Sequence, residues 1–257
     1  MLTGVDYVIA IPTYRRAKTL QEKTLRMLDG YGIRPDQVDV WLADVEQERI
    51  YREAFTGWDR KPNFKIGVPG LGPQRNFIER YYGKGQRVMM MDDDLTGVLR
   101  RASSKKLEPV EDLRGEVLDL GFDYAEKVGA GLWGVYAVQN PYFMKRRVTT
   151  GLCNCISCFI GIVCDPQESL ERTVSHAEDY EYSIRRYIVD GAVCRLDWLT
   201  IDTKYWSEPG GLVEQRTPQM IHESVQKVAN LFPDFCTLYV RKTTGNAELR
   251  LRDKRIS

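Results

Sequence analysis

The chain has 257 residues, 43% hydrophobic and 28% charged, with 37 basic and 36 acidic side chains and a net charge of +1. Those values fit an ordinary globular protein of one large or two small domains, and they exclude a strongly basic nucleic-acid packager, whose affinity rests on many phosphate contacts. No stretch approaches the roughly 18 uninterrupted apolar residues of a membrane span, and MLTGVDYVIAIPTYRR has no basic segment before its apolar run, so a cytoplasmic chain without a signal peptide is expected.

Val5 to Ile11 is rich in β-branched residues and stops at Pro12, which reads as a first buried strand. A loop, Pro12-Thr13-Tyr14-Arg15-Arg16, follows. Lys18 to Leu28 carries Leu20, Thr24, Met27 and Leu28 on one helical face before Gly30. Val38 to Ala43 is a second strand ending at Asp44, Val45 to Phe55 a second helix, and Phe64 to Val68 a third strand. After the turn Pro69-Gly70-Leu71-Gly72-Pro73 comes a helix over Gln74 to Tyr82, then a fourth strand over Arg87 to Met91. Strands alternating with helices at this spacing predict βαβ units and a mostly parallel sheet.

The second half is less regular. Residues 99 to 111 carry Arg100, Arg101, Lys105 and Lys106 without an apolar period and read as an exposed loop. Leu113 to Val128 is an amphipathic helix. Leu132 to Val138 and Cys155 to Val163 read as strands, joined by a segment containing Lys145-Arg146-Arg147. Ala177 to Ile188 is a helix whose first-turn acids complement the helix dipole. Val193 to Leu199 is a strand, Pro218 to Leu231 a last helix opened by proline, and the tail from Phe235 adds a strand or two. Six cysteines lack the paired spacing of a zinc site and alternate with Ile and Phe, so they read as buried thiols. No repeat or linker-like break appears, and residues 1–257 read as a single domain.

The fourth strand ends abruptly in Asp92-Asp93-Asp94. In an α/β protein ligands bind just past the carboxyl ends of strands. Three acids there repel one another unless a cation sits among them, and Mg²⁺ or Mn²⁺ suits carboxylate oxygens while leaving positions for phosphate. The competing reading is a solvated acidic turn.

Four features line up: a strand ending in Ile-Pro-Thr-Tyr-Arg, a strand ending in Asp44, a glycine turn with Gln74-Arg75-Asn76 opening a helix, and the triple aspartate. With the downstream His176-Ala177-Glu178-Asp179-Tyr180-Glu181, they resemble GT-A fold glycosyltransferases over about residues 5 to 190. The resemblance implies an α/β fold, a single GT-A-like domain with a Rossmann-like, mostly parallel central sheet flanked by helices. It also implies a nucleotide-sugar half to about residue 100 and an acceptor half over 101–257.

On that resemblance Asp92 and Asp94 hold Mn²⁺ or Mg²⁺, which neutralises the leaving diphosphate of a UDP-sugar donor. Pro12, Thr13, Arg15, Asp44, Arg75, Asn76, Asp92 and Asp93 contact the nucleotide sugar. Asp179, with Glu178 as alternate, is the base that deprotonates the acceptor, which makes the reaction inverting. His222 is the better placed of the two histidines for a third metal ligand. Competing readings are a surface role for Arg75 and an N-cap for Asp44.

The run Val88-Met89-Met90-Met91-Asp92-Asp93-Asp94-Leu95 and the segment Lys204-Tyr205-Trp206-Ser207-Glu208-Pro209-Gly210-Gly211-Leu212 are similar to phage glycosyltransferases related to the TET/JBP-associated family. That resemblance implies a double-stranded DNA acceptor carrying 5-hydroxymethylcytosine, in the cytoplasm of an infected bacterium, with no membrane and no obligate protein partner. Lys145, Arg146, Trp206, Gly210 and Gly211 are the acceptor-binding candidates. Basic clusters at 100–106, 145–147 and 185–186 track phosphates in this reading, and Tyr142, Phe143 and Trp206 stack on a base. The alternatives are a polysaccharide or other small acceptor, nucleotidyl transfer, and a DNA-binding module without turnover.

Overall fold

The structure is a computed structural model that describes residues 6–203, 217–242 and 245–252. Its first half alternates strand and helix. β1 (Val8–Pro12) leads to α1, which runs from Ala17 to Gly30 as two α-helical pieces around a π segment, Gln21–Leu25. Then come β2 (Val38–Leu42), α2 (Val45–Ala54), β3 (Asn63–Ile66), α3 (Leu71–Tyr82) and β4 (Arg87–Met91). α3 is entered through Gly70, whose φ of 89° places it where side chains are disfavoured.

β5 (Gly97–Arg101) and β6 (Leu107–Pro109) follow, then α4, which opens with a π segment, Arg114–Asp119, and continues over Leu120–Lys127. The rest comprises β7 (Leu132–Val135), β8 (Val148–Thr149), β9 (Phe159–Val163), α5 (Glu178–Asp190), β10 (Cys194–Leu196), β11 (Leu199–Asp202), α6 (Pro218–Leu231), β12 (Cys236–Val240) and β13 (Ala247–Leu251).

The main sheet has eight strands in the order β3-β2-β1-β4-β9-β7-β10-β8. Only β9 and β8 run against the others. The sheet is therefore mostly parallel, as expected, and its parallel strands point their carboxyl ends to one edge. Both faces are covered, and side chains alternate between them. Ile9, Ile11, Val40, Met89, Met91 and Trp133 join one core with residues of α1, α2 and α4. Ala10, Trp41, Val88, Met90, Leu132 and Ile160 join the other with residues of α3, α5 and α6. β5 lies between β11 and β6 in a small antiparallel second sheet, and β12–β13 form a hairpin beside α6. No helix of the described residues is long and apolar enough to cross a membrane.

Three expectations need correction. Residues 99–111 are not a free loop. β5 pairs through its backbone with β6 and β11, Arg100 pairs with Glu116 of α4 at 2.6 Å and Lys106 with Glu108 two residues on at 2.7 Å, so a backbone ladder and polar partners replace the apolar period as the ordering pattern. The strand expected from Cys155 begins only at Phe159, because the Cys155 N–H donates to Ser183 Oγ of α5 (3.0 Å) rather than to a neighbouring strand. The strand expected over Val193–Leu199 is split at Asp197, which is 1% exposed and accepts from Arg147, Thr149 and Arg195. The cysteines of the described residues are all buried and free, as expected.

Trp133 sets the local spacing between β7 and β9. It is fully buried opposite Gly161, where an added Cβ would come 1.9 Å from its indole nitrogen. Gly161→Ala is expected to destabilise the fold by about 1–3 kcal/mol through overpacking. Chemical denaturation checks this, and an unchanged midpoint would contradict the packing described.

Candidate active site

The carboxyl end of β4 meets the loop after β1. Thr13 Oγ1 donates to Asp93 Oδ2 at 2.5 Å and lies 2.7 Å from the Tyr51 hydroxyl, which also accepts the Arg16 N–H at 2.9 Å. The Arg16 guanidinium reaches Asp93 at 3.3 Å and Asp94 at 3.4 Å. Of the triple aspartate the middle side chain turns inward, only 7% exposed, while Asp92 and Asp94 remain 33% and 18% exposed. Thr24 and Thr203 complete the turn, the first donating to the Asp92 carbonyl at 2.8 Å and the second to Asp94 Oδ1 at 3.3 Å.

Arg75, in the first turns of α3, is 1% exposed. One guanidinium nitrogen donates to Asp92 at 2.7 Å, and the other donates to the Ser157 carbonyl and lies 3.8 Å from Glu178. Glu178 opens α5, accepts from Ser157 Oγ at 3.0 Å and pairs with Arg172 at 3.4 Å. Its neighbour Asp179 accepts from Asn154 Nδ2 at 3.0 Å, and no arginine or lysine of the described residues pairs with it. The five carboxylates thus lie along one chain of contacts running from β4 through Arg75 to the start of α5.

Burial decides their proton affinities. Asp93 is pushed up to about 7 by loss of solvent, which outweighs its bonds to Thr13 and Arg16. Asp179 is pushed up to about 6, first by burial and then by the adjacent Glu178, with the Asn154 bond opposing. Asp92 is also raised by burial, with Arg75 opposing. The only non-glycine residues with positive φ among those described are Arg15 and Ala177, both at 55°. One sits in the loop after β1 and the other immediately precedes Glu178. Such strained conformations concentrate where a site over-determines the backbone.

Several expected residues lie elsewhere or act differently. Arg75 is not a surface group. Asn76 is buried and holds the Arg172 backbone at both amide ends, each at 3.0 Å, so it anchors a segment inside the protein. Asp44 is exposed, and its Oδ1 caps α2 by accepting from the Gln47 N–H at 2.8 Å. Pro12 ends β1 beside Thr13, and Arg15 is exposed with its N–H bound to Gln47 at 3.1 Å. Lys145 and Arg146 are exposed between β7 and β8. Trp206, Gly210 and Gly211 lie outside the described residues.

His222 is exposed on α6, which packs on the β12–β13 hairpin. No group of three or more His, Cys, Asp or Glu side chains among the described residues is placed to hold a metal, so His222 is not joined to Asp92 and Asp94 as a third ligand. Arg185 and Arg186 do not track phosphates either. Arg185 pairs with Glu181 at 2.8 Å, and Arg186 is buried against Glu79 and Tyr182.

Sequence reasoning missed Arg16, Tyr51, Arg172, Asn154 and Ser157. Arg16 stood in the recognised loop. Asn154 and Ser157 were hidden in the cysteine-rich run read as a strand.

No described sequence family and no characterised protein matches the chain by sequence. Solved structures do match by shape. TarS of S. aureus, residues 1–349, superposes with a TM-score of 0.55 at 15% identity over 90% of this chain and 66% of that one. The mannosyltransferase PcManGT from Pyrobaculum calidifontis, in complex with GDP-Man and Mn²⁺, gives 0.54 at 15% identity, covering 89% and 64%. The chain thus spans about two thirds of these structures. Its fold is that of the GT-A glycosyltransferases.

The raised affinity of Asp93 has a definite sign. Stability from this group is fully present below the ordinary carboxylate range and is lost as pH rises through about 7. In chelator, the melting temperature of Asp93→Asn relative to the parent is therefore expected to rise from pH 5 to about pH 7 and then level off. A difference independent of pH would show that Asp93 ionises normally.

Proposed function

We propose that the protein is a metal-dependent GT-A glycosyltransferase that inverts the transferred sugar. The observation carrying this is that one buried guanidinium, Arg75, contacts both Asp92 at the end of β4 and Glu178, the residue before Asp179. A cation-binding pair and a carboxylate of raised proton affinity thereby share one rigid frame.

The donor set suits a divalent metal. Asp92 and Asp94 are the two partly exposed members of the triplet, and a hard cation bound to two carboxylates keeps positions for diphosphate oxygens. When bound, such a cation neutralises the charge that develops on the leaving diphosphate. The chain's own residues do the rest. Arg16 and Arg75 hold the two aspartates in place. Asp179, ionised above pH 6, takes the proton from the acceptor hydroxyl as its oxygen bonds to the anomeric carbon and the sugar–phosphate bond breaks. One base and a single displacement invert the configuration.

In this reading the donor is a UDP-sugar bound by the half up to about residue 100, and the acceptor is the hydroxymethyl group of 5-hydroxymethylcytosine in double-stranded DNA. Support for DNA comes from one segment. Tyr142 and Phe143 are 67% and 57% exposed, packed edge to face at 5.2 Å, and followed by exposed Lys145 and Arg146. Aromatic faces beside cations suit an unstacked base and its phosphates. The alternative, a carbohydrate acceptor, draws support from the internal pairing of Arg100, Lys106, Arg185 and Arg186, which leaves few cations for a duplex.

The test is mass spectrometry of digested nucleosides after incubating hydroxymethylated and unmodified DNA with UDP-sugars and Mn²⁺. A hexose-sized gain on the modified base alone, abolished by chelator, is expected. Asp94→Ala and Asp179→Asn should each lower kcat by about 10²–10⁴-fold, and the parent's kcat should fall below pH 6. Hydrolysis of a sugar nucleotide without any gain on DNA would move the acceptor to carbohydrate. Neither transfer nor hydrolysis with any donor would overturn the enzyme assignment.

A further inference from the structure

The segment Cys153–Cys158, between β8 and β9, touches the end of β4, Arg75 of α3 and the start of α5. The Asp92 N–H donates to the Cys158 carbonyl at 2.9 Å, and Arg75 donates to the Ser157 carbonyl. Three successive bonds then staple the segment to α5: Asn154 to Asp179, Cys155 to Ser183 and Ser157 to Glu178, each at 3.0 Å. Arg195 fixes the segment from behind by donating to the Asn154 carbonyl at 3.2 Å. Gly134 of β7 gives it room, since a Cβ there would lie 2.9 Å from that of Cys155.

Within this segment Asn154 has a distinct situation. The four other site carboxylates, Asp92, Asp93, Asp94 and Glu178, each touch a guanidinium. Asp179 is held by a neutral amide. An ionised carboxylate only accepts, so the amide must present its NH₂ to Asp179 and turn Oδ1 away. That Oδ1 is buried and without a hydrogen-bond partner among the described residues. An asparagine serving only the loop would satisfy both ends, as buried polar groups nearly always do.

We infer that Asn154 is the positioning residue for Asp179, fixing its rotamer and favouring its ionised form without the full charge of an arginine. The inference rests on the proposed role of Asp179 as base. The physical logic is a compromise. A guanidinium at this position would hold the carboxylate firmly but make it a poor base, while no donor at all would leave it protonated by burial. A single amide N–H lies between the two. The other groups facing Asp179 are Glu178 and Tyr180 on its own helix. The Tyr180 ring is in turn faced by Glu248 and Tyr239 of the β12–β13 hairpin and by Arg241 beyond β12. The backbone N–H groups of Tyr180 and of Asp179 itself also favour the ionised carboxylate, but less than the Asn154 amide, which is the only side-chain donor to Asp179 among the described residues.

The test has two readouts on the full chain. The first is ¹³C NMR titration of the Asp179 carboxyl, assigned with Asp179→Asn. Asn154→Ala is expected to move its midpoint up from about 6 by about one pH unit. The second is the pH profile of sugar-nucleotide turnover. The variant's kcat should fall about fivefold at pH 6 and return almost to the parent value near pH 8.5, with donor KM unchanged, since a one-unit shift depletes the base only on the acid side. Asn154→Ser keeps a shorter donor and should lie between the two, and it carries the test if Asn154→Ala does not fold. An unshifted Asp179 titration, or a kcat loss equal at all pH values, would overturn the inference. A shifted titration in a parent protein that consumes no sugar nucleotide would instead sink the glycosyltransferase reading and leave Asn154 as the group that sets the ionisation of Asp179.

Discussion

Arg75 is a guanidinium with 1% exposure, and the rest of the site is built around satisfying it. A buried charge without partners costs several kcal/mol, so the end of β4, the Cys153–Cys158 segment and α5 each bring an oxygen to it. They bring Asp92, the Ser157 carbonyl and Glu178. Glu178 then passes the constraint on to Arg172, Arg172 to Glu79 at 2.8 Å, and Glu79 to Arg186 at 3.4 Å. The Arg172 guanidinium lies 3.5 Å from the Tyr182 ring centroid, and Arg186 donates to the Tyr182 hydroxyl at 2.9 Å. Removing one member would strand its neighbours in a dry environment. Exchanging the whole set for apolar residues need not destabilise the fold. What the network specifies is registry between two helices and the strand end, and registry is what a site made of carboxylates from β4 and α5 requires.

The same network explains how charge is distributed along the site. Where arginine is in contact, the carboxylates are fixed in place, although burial still raises the proton affinity of Asp92 and Asp93. Asp179 lies one residue beyond the last of these contacts. Burial and the adjacent Glu178 raise its proton affinity, while the Asn154 amide and, after it, the backbone N–H groups of Tyr180 and Asp179 resist. Neighbouring carboxylates on one helix turn thus differ in their partners, two arginines for Glu178 and an amide side chain for Asp179. The backbone follows the same division. Ala177 holds a left-handed conformation immediately before the pair, and Arg15 does so in the loop opposite. In both places the surrounding bonds outweigh a local preference.

Much of the first half was legible because its signals are local. Apolar runs closed by Pro12, Asp44 and Asp92, with amphipathic stretches between them, define a parallel sheet whose carboxyl edge carries the acids. The helix Pro218–Leu231 and the strand Arg87–Met91 match their sequence boundaries. The site was legible where charge clusters at a strand end, as in Asp92 to Asp94. It was not legible where function depends on partners far apart in sequence. Nothing local distinguishes Arg75, buried against Ser157 and Asp92, from a surface arginine in a first helical turn. Asn154 and Ser157 sit among cysteines whose alternation mimics a strand, and only the Ser183 and Glu178 contacts show that the backbone there leaves the sheet. The β5–β6 ladder was missed for the converse reason, since its ion pairs leave no apolar period to read.

The pairing of basic residues bears on what can approach the site. With 37 basic side chains the protein has ample positive charge in composition. Arg75, Arg172 and Arg186 are nevertheless consumed inside, and Arg100, Lys106 and Arg185 are matched by nearby acids. Long-range attraction for a polyanion scales with the unmatched cations near the approach path. Between β7 and β8 that leaves Lys145 and Arg146, beside the exposed Tyr142 and Phe143, while Arg147 is bound to Asp197 at 2.9 Å. A nucleic acid recognised here would form few phosphate contacts and would draw its selectivity from the aromatic pair and the modified base. Its affinity would then depend only weakly on salt.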